Sequence, residues 1–120
     1  MSRAILLVDH GSRRSAANEQ LERVADAVRE RASDCMVAIA HMELATPSIS
    51  EAIGACVAAG ADEIIVHPYF LAPGSHTTTD IPRLVEEAVR QHQGVSVRIS
   101  EPLGLHPKLV DVILHRVDAV

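Results

Sequence analysis

The feature that most constrains the fold of this chain is an alternation: short continuous apolar runs take turns with segments whose apolar positions recur at helical spacing. Residues 4–8 (AILLV), 35–40 (CMVAIA), 63–66 (EIIV) and the alternating 95–99 (VSVRI) read as strands. Ala17, Leu21, Val24 and Val28 recur at three- and four-residue steps and mark a helix from Ser12 or Arg13 to about Arg31. Thr46, Pro47 and Ser48 supply cap and first-turn residues for a second helix, which runs to about Ala59 and closes on Gly60. Thr77 to Asp80 offers caps and Pro82 a first turn for a third, whose stripe of Leu84, Val85, Ala88 and Val89 extends to about Gln91. A last helix runs from about Pro107 to Arg116.

Strands that are apolar end to end are buried on both faces, which is the habit of parallel sheets covered by helices. The expected fold is therefore α/β: a single open, mainly parallel four-stranded sheet with right-handed crossovers and helices on both faces. A reversal at the first crossover gives the strand order 2-1-3-4. With 120 residues and no linker or low-complexity stretch, residues 1–120 are expected to form one domain.

Composition removes several classes of function. Apolar residues are 48% of the chain, nearly all of them aliphatic, and the only aromatics are Tyr69 and Phe70, so there is no stacking surface for bases. The formal charge of −5 comes without a basic stripe, and the footprint of a nucleic-acid binder is missing. The N-terminal apolar run is too short for a secretory segment, and no run approaches the roughly 18 residues of a membrane span. Cytoplasm is the expected location. Cys35 and Cys56 match no metal-finger or redox spacing and read as buried thiols in a reducing compartment.

In an open parallel sheet, ligands bind beyond the carboxyl ends of the strands where the order reverses, here between the first and third strands. The loops leaving those strands are residues 9–13 (DHGSR) and 67–76 (HPYFLAPGSH). They bring His10 and His76 to one crevice. Neutral imidazole is the commonest transition-metal ligand, and two imidazoles with open positions suit Co, Fe, Ni or Zn better than Mg or Ca. His41, His67, His92, His106 and His115 have no such convergent placement. The first loop carries a single glycine and no phosphate fingerprint, and no GxSxG elbow supports Ser12 or Ser75 as a nucleophile. A phosphoacceptor domain would want an acid after the third strand and a lysine near the site, yet that strand ends in His67 and the only lysine is Lys108.

With DHGSR, ELATPSI and PYFLAPGSHTTTDIP located, and EPLG with His106-Pro107 following, the chain resembles the short CbiX/SirB family of class II chelatases over essentially its whole length. The resemblance implies a half-size chelatase domain that inserts Co2+ or Fe2+ into sirohydrochlorin, for cobalamin or siroheme, with nickel insertion known in some archaeal relatives. It implies no organic cofactor. By the same resemblance His10 and His76 are the metal-binding, catalytic pair, and Glu43 matches an acidic position ahead of the PSI element, where it would serve as a second base. The chain departs from two related groups, lacking a histidine-rich insertion and an added iron–sulfur cysteine motif.

Metal insertion must strip water from a divalent ion, deliver it to four ring nitrogens and remove two pyrrole protons. Two weakly committed imidazoles hold the ion without trapping it, and an imidazole or carboxylate accepts protons. The macrocycle carries carboxylates, so Ser12 and Arg13 on the first loop and Gly74, Ser75 and Thr77 on the second are its candidate contacts, with Arg14, Arg83 and nearby helix N-termini adding positive potential. One sheet of this size covers one side of a flat ring, and a homodimer with facing crevices is therefore expected. The competing readings are a metal or tetrapyrrole carrier with the same ligands and no turnover, and a His-dependent phosphohydrolase built on DHGSR.

Overall fold

A computed structural model describes residues 2–120. Its strands are β1 (Arg3–Asp9), β2 (Met36–His41), β3 (Glu63–Pro68) and β4 (Ser96–Ile99), and its helices are α1 (Ser15–Arg31), α2 (Ile49–Ala58), α3 (Ile81–Val89) and α4 (Pro107–Asp118). All strand pairs are parallel, in the order β2-β1-β3-β4, as the apolar runs predict. β1, β2 and β3 outrun their apolar stretches at one end or both, whereas β4 is one residue shorter than its stretch. β1 takes in Asp9 opposite His41 of β2, and β3 takes in Pro68 opposite Val8.

Alternate residues of the central strand feed two cores. Ala4, Leu6 and Val8 face α2 and α3 in a cluster that includes Ile53, Ile64, Val66 and Ile81, while Leu7 joins Leu21 and Ala25 of α1 on the other face. Fully burying each such leucine or isoleucine contributes roughly 1.5–3 kcal/mol. Among the described residues no buried side-chain polar atom lacks a hydrogen-bond partner.

The helix starts differ from expectation for local reasons. α1 begins only at Ser15, because the Ser12 hydroxyl accepts the Arg14 N–H at 3.0 Å and Asn18 bridges back to both backbone groups of Ser12. α2 is capped by Ser48 alone: its hydroxyl accepts the Glu51 N–H and the Glu51 carboxylate accepts the Ser48 N–H, a reciprocal capping box. Pro47 lies outside the helix after a cis Thr46–Pro47 bond, and its carbonyl accepts the His41 N–H at 2.9 Å. α3 is preceded by a π-helical turn, His76–Asp80, closed by the Ile81 N–H on the His76 carbonyl. Of the two cysteines, Cys56 is buried in α2 and burial pushes its thiol up, whereas Cys35 is only half-buried, in the turn before β2. The expectation of a buried Cys35 thus fails because the strand starts one residue later.

α4 stands apart. It buries none of its residues, and Val110, Val112, Ile113, Leu114 and Val117 are all exposed. The described chain is 50 Å long by 30 and 26 Å, with a radius of gyration of 14.7 Å, above the roughly 13–14 Å expected of a compact chain this long.

Candidate metal centre

The β1–β2 ladder continues past the last strand residues and brings two loops together. The Met42 N–H donates to the Asp9 carbonyl at 3.0 Å, and the Glu43 N–H donates to the His10 carbonyl at 3.1 Å. Beneath them, Asp9 and the buried His41 pair through Oδ1 and Nδ1 at 2.5 Å, tying the carboxyl ends of the two strands side to side. Gly11, at φ +93°, turns the chain away immediately afterwards. The consequence is a His10 Nε2 to Glu43 Oε1 distance of 2.9 Å, with both side chains about half exposed (40% and 58%).

The second loop arrives from β3. The Tyr69 N–H donates to the Val8 carbonyl at 2.7 Å, and the segment then folds over into the π-helical turn. Gly74 knots this loop, because its carbonyl accepts from the Thr77 and Thr78 N–H groups and hydroxyls, and its own N–H donates to Thr77 Oγ1. His76 is thereby set against His10, the two rings lying edge to face with centroids 4.8 Å apart. Phe70 lies alongside the His76 ring at 6.4 Å with an interplanar angle of 23°.

Each histidine has an acceptor beside Nδ1. His10 Nδ1 is 3.2 Å from the Gly11 carbonyl, and His76 Nδ1 is 3.0 Å from Asp80 Oδ2. An Nδ1–H donated to Asp80 leaves His76 Nε2 with a lone pair for a metal, whereas His10 Nε2 faces Glu43 Oε1 at 2.9 Å, a contact in which a metal would take the place of a proton. Among the described residues no three His, Cys, Asp or Glu side chains close around one point as a metal cage. The two imidazoles stand instead at an open mouth with Glu43 beside His10, an incomplete cage that suits an ion in transit better than a permanent one. A cavity of about 260 Å³ beside it is lined by Met42, Glu43, His76, Asp80, Arg83 and Leu84.

The remaining expected residues divide. Arg13 and Arg14 are exposed and, among the described residues, pair with no carboxylate; Ser75 is exposed as well. Arg83 is exposed and lies 3.4 Å from Glu87. Ser12, Gly74 and Thr77 spend their polar groups inside the loops, and Thr77 is buried. Four residues of the site escape sequence reasoning: Gly11, Asn18, Asp9 and Asp80. The glycine directly after His10 was the available signal for the first. Asp9 pairs with His41 on the next strand, Asn18 with the backbone of Ser12, and Asp80 with His76 one turn back, and each looks like ordinary loop polarity until the backbone is folded.

An open parallel sheet with two imidazoles facing each other across its switch-point crevice defines a metal-handling α/β domain of the chelatase type. The CbiX family model matches residues 4–120, and the chain belongs to that family. It is 45% identical over 113 residues to the chloroplastic sirohydrochlorin ferrochelatase of Arabidopsis thaliana, covering 94% of this chain and 50% of that one. It is 35% identical to the sirohydrochlorin cobaltochelatase of Methanocaldococcus jannaschii, covering 94% of this chain and 96% of the relative. The sirohydrochlorin chelatase SirB from Bacillus subtilis subspecies spizizenii, solved with cobalt, superposes with a TM-score of 0.93 at 29% identity, over 100% of this chain and 51% of that one. The chain thus spans about half of the plant and bacillar proteins and nearly all of the archaeal one. Among the described residues no helix is long and apolar enough to cross a membrane.

Proposed function

We propose that this chain is a half-size chelatase domain that inserts Co2+ or Fe2+ into a sirohydrochlorin-type tetrapyrrole, the metal being a substrate. The observation that carries this reading is the pair of rings 4.8 Å apart on two different β–α loops, with Glu43 at 2.9 Å from one of them. The names of the relatives, cobaltochelatase and ferrochelatase, support the same substrate class.

The chemistry follows from the donors. His10 and His76 hold the ion through Nε2, replacing part of its water shell with neutral nitrogen ligands that release it again. Glu43, 2.9 Å from His10, is the carboxylate beside that imidazole that accepts a pyrrole proton as the ion moves to the ring. Arg13 and Arg14 on the loop after β1 offer guanidinium groups to the substrate carboxylates, and Ser75 on the loop after β3 offers a hydroxyl. Ser12, Gly74 and Thr77 contribute by fixing the loops that carry those contacts.

The exposed apolar face of α4 supports a homodimer. Together with Leu71 and Leu105 it borders two apolar grooves of about 360 and 350 Å³ at the base of the helix. A chain this small does not ordinarily leave so much aliphatic surface in water. A second copy would cover it and supply the second half that the longer relatives carry in one chain. The free thiols of Cys35 and Cys56 fit a cytoplasmic setting.

The test is to mix the purified protein with sirohydrochlorin and Co2+ or Fe2+ and follow the absorbance change against the spontaneous rate. A clear acceleration is expected. Tight binding of metal or macrocycle with no acceleration would make the chain a carrier instead, and turnover of a generic phosphoester without insertion would make it a hydrolase.

A further inference from the structure

We infer that Asp80 is the positioning residue for His76: its carboxylate accepts the imidazole Nδ1–H and so holds the ring with Nε2 presented to the metal. The inference rests on the chelatase reading above and adds to it a residue that never touches the ion.

Three observations carry it. The distance from His76 Nδ1 to Asp80 Oδ2 is 3.0 Å, one turn apart on the same side of the π-helical segment. Asp80 stands where that segment enters α3, a place where an aspartate usually caps backbone N–H groups, yet it makes no capping bond. Its carboxylate goes to the histidine instead. The single π-helical turn, a local departure that recurs at functional sites, is confined to the residues from His76 to Asp80.

The physical need is specific to imidazole. The ring rotates about Cβ–Cγ over a broad, roughly two-fold profile, and a half-turn exchanges Nε2 for Cε1, a carbon that binds no metal. Phe70 against one face limits tilt but does not distinguish the two faces of the half-turn. An acceptor at Nδ1 does distinguish them, and it also fixes the tautomer that leaves a lone pair on Nε2. As a surface ion pair alone the contact would be worth little, since both side chains are substantially exposed (48% and 33%). Its value lies in orientation.

The experiment compares wild type with Asp80→Ala and Asp80→Asn by titrating Co2+ alone, by measuring half-saturation for metal and for sirohydrochlorin separately, and by 15N NMR of the imidazoles at a pH where they are neutral. Asp80→Ala is expected to weaken Co2+ binding by about 10- to 100-fold, the usual cost of losing an outer-shell partner, with the sirohydrochlorin half-saturation changed by less than about twofold. Asp80→Asn, whose amide oxygen still accepts the Nδ1–H, is expected to recover most of the loss. The wild-type spectrum is expected to show His76 as the Nδ1–H tautomer. Three results would each overturn the inference: unchanged Co2+ binding in Asp80→Ala, equal losses in the two variants, or a wild-type His76 protonated on Nε2. The Co2+ titration and the spectrum need no turnover, so a failure of the insertion reaction itself remains separable from a failure of this role.

Discussion

Gly11 lies so close to the backbone of Glu43 that a Cβ on it would stand 1.8 Å from the Glu43 carbonyl oxygen. That contact is what allows the loop bearing His10 to run alongside the loop bearing Glu43. A backbone oxygen, on a residue whose own N–H is bonded to the His10 carbonyl, cannot give way as the end of a long side chain can, and φ +93° is strained for any residue with a Cβ. Gly11→Ala is expected to destabilise the fold by roughly 2–4 kcal/mol. It should also weaken metal binding beyond what the lost stability explains, because the two loops must separate. Denaturant unfolding together with a Co2+ titration checks both; an alanine variant equal to wild type in each would show the close approach to be dispensable.

His67, at the end of β3, donates or accepts through Nδ1 at 2.8 Å from Ser100 Oγ. Burial pushes its pKa below the ordinary 6.5, against a smaller opposing effect of the Glu101 backbone. The folded chain therefore binds this proton less readily than the unfolded chain does. Its contribution to stability is complete above about pH 6.5 and is lost as the pH falls from there through the depressed folded value. Stability measured between pH 7.5 and 5 is expected to decline on the acid side, and His67→Gln to flatten part of that slope. A slope unchanged in the variant would assign the acid loss to other groups.

The α4 surface leads to a prediction about assembly. Ile113 and Leu114 are 60% and 54% exposed on a helix that packs against neither face of its own sheet. Replacing both by Asp should leave helix content intact and convert a dimer to a monomer by light scattering, with a fall in insertion rate. Wild-type protein that is monomeric at micromolar concentration and fully active would remove the dimer from the account.

Much of the architecture was legible because parallel strands are apolar throughout and need no long-range information to be seen: AILLV and CMVAIA announce β1 and β2, and the order β2-β1-β3-β4 follows from connection rules. The pairing of His10 with His76 was legible for the same reason, since the switch point fixes which two loops meet. What stayed hidden depends on backbone conformation or on packing. Thr46, Pro47 and Ser48 all carry helix-start chemistry, and only the geometry selects Ser48 as the cap. Thr77 to Asp80 looks like a capping run, whereas the chain turns it into a π-helical segment and turns Asp80 toward His76. α4 has the pattern of a core helix, with apolar residues at helical steps, and no pattern within it says that its own sheet leaves it uncovered.

Insertion by this site requires His10 and His76 to hold one and the same ion, and a double-variant cycle of the metal-insertion rate tests that directly. If they share the ion, His10→Ala and His76→Ala each lower the rate by orders of magnitude, and the double variant is little worse than either, because the second substitution removes a ligand from a site already lost. Losses that multiply in the double variant, or a single variant that inserts metal at the wild-type rate, would mean that the two imidazoles do not act on a common metal.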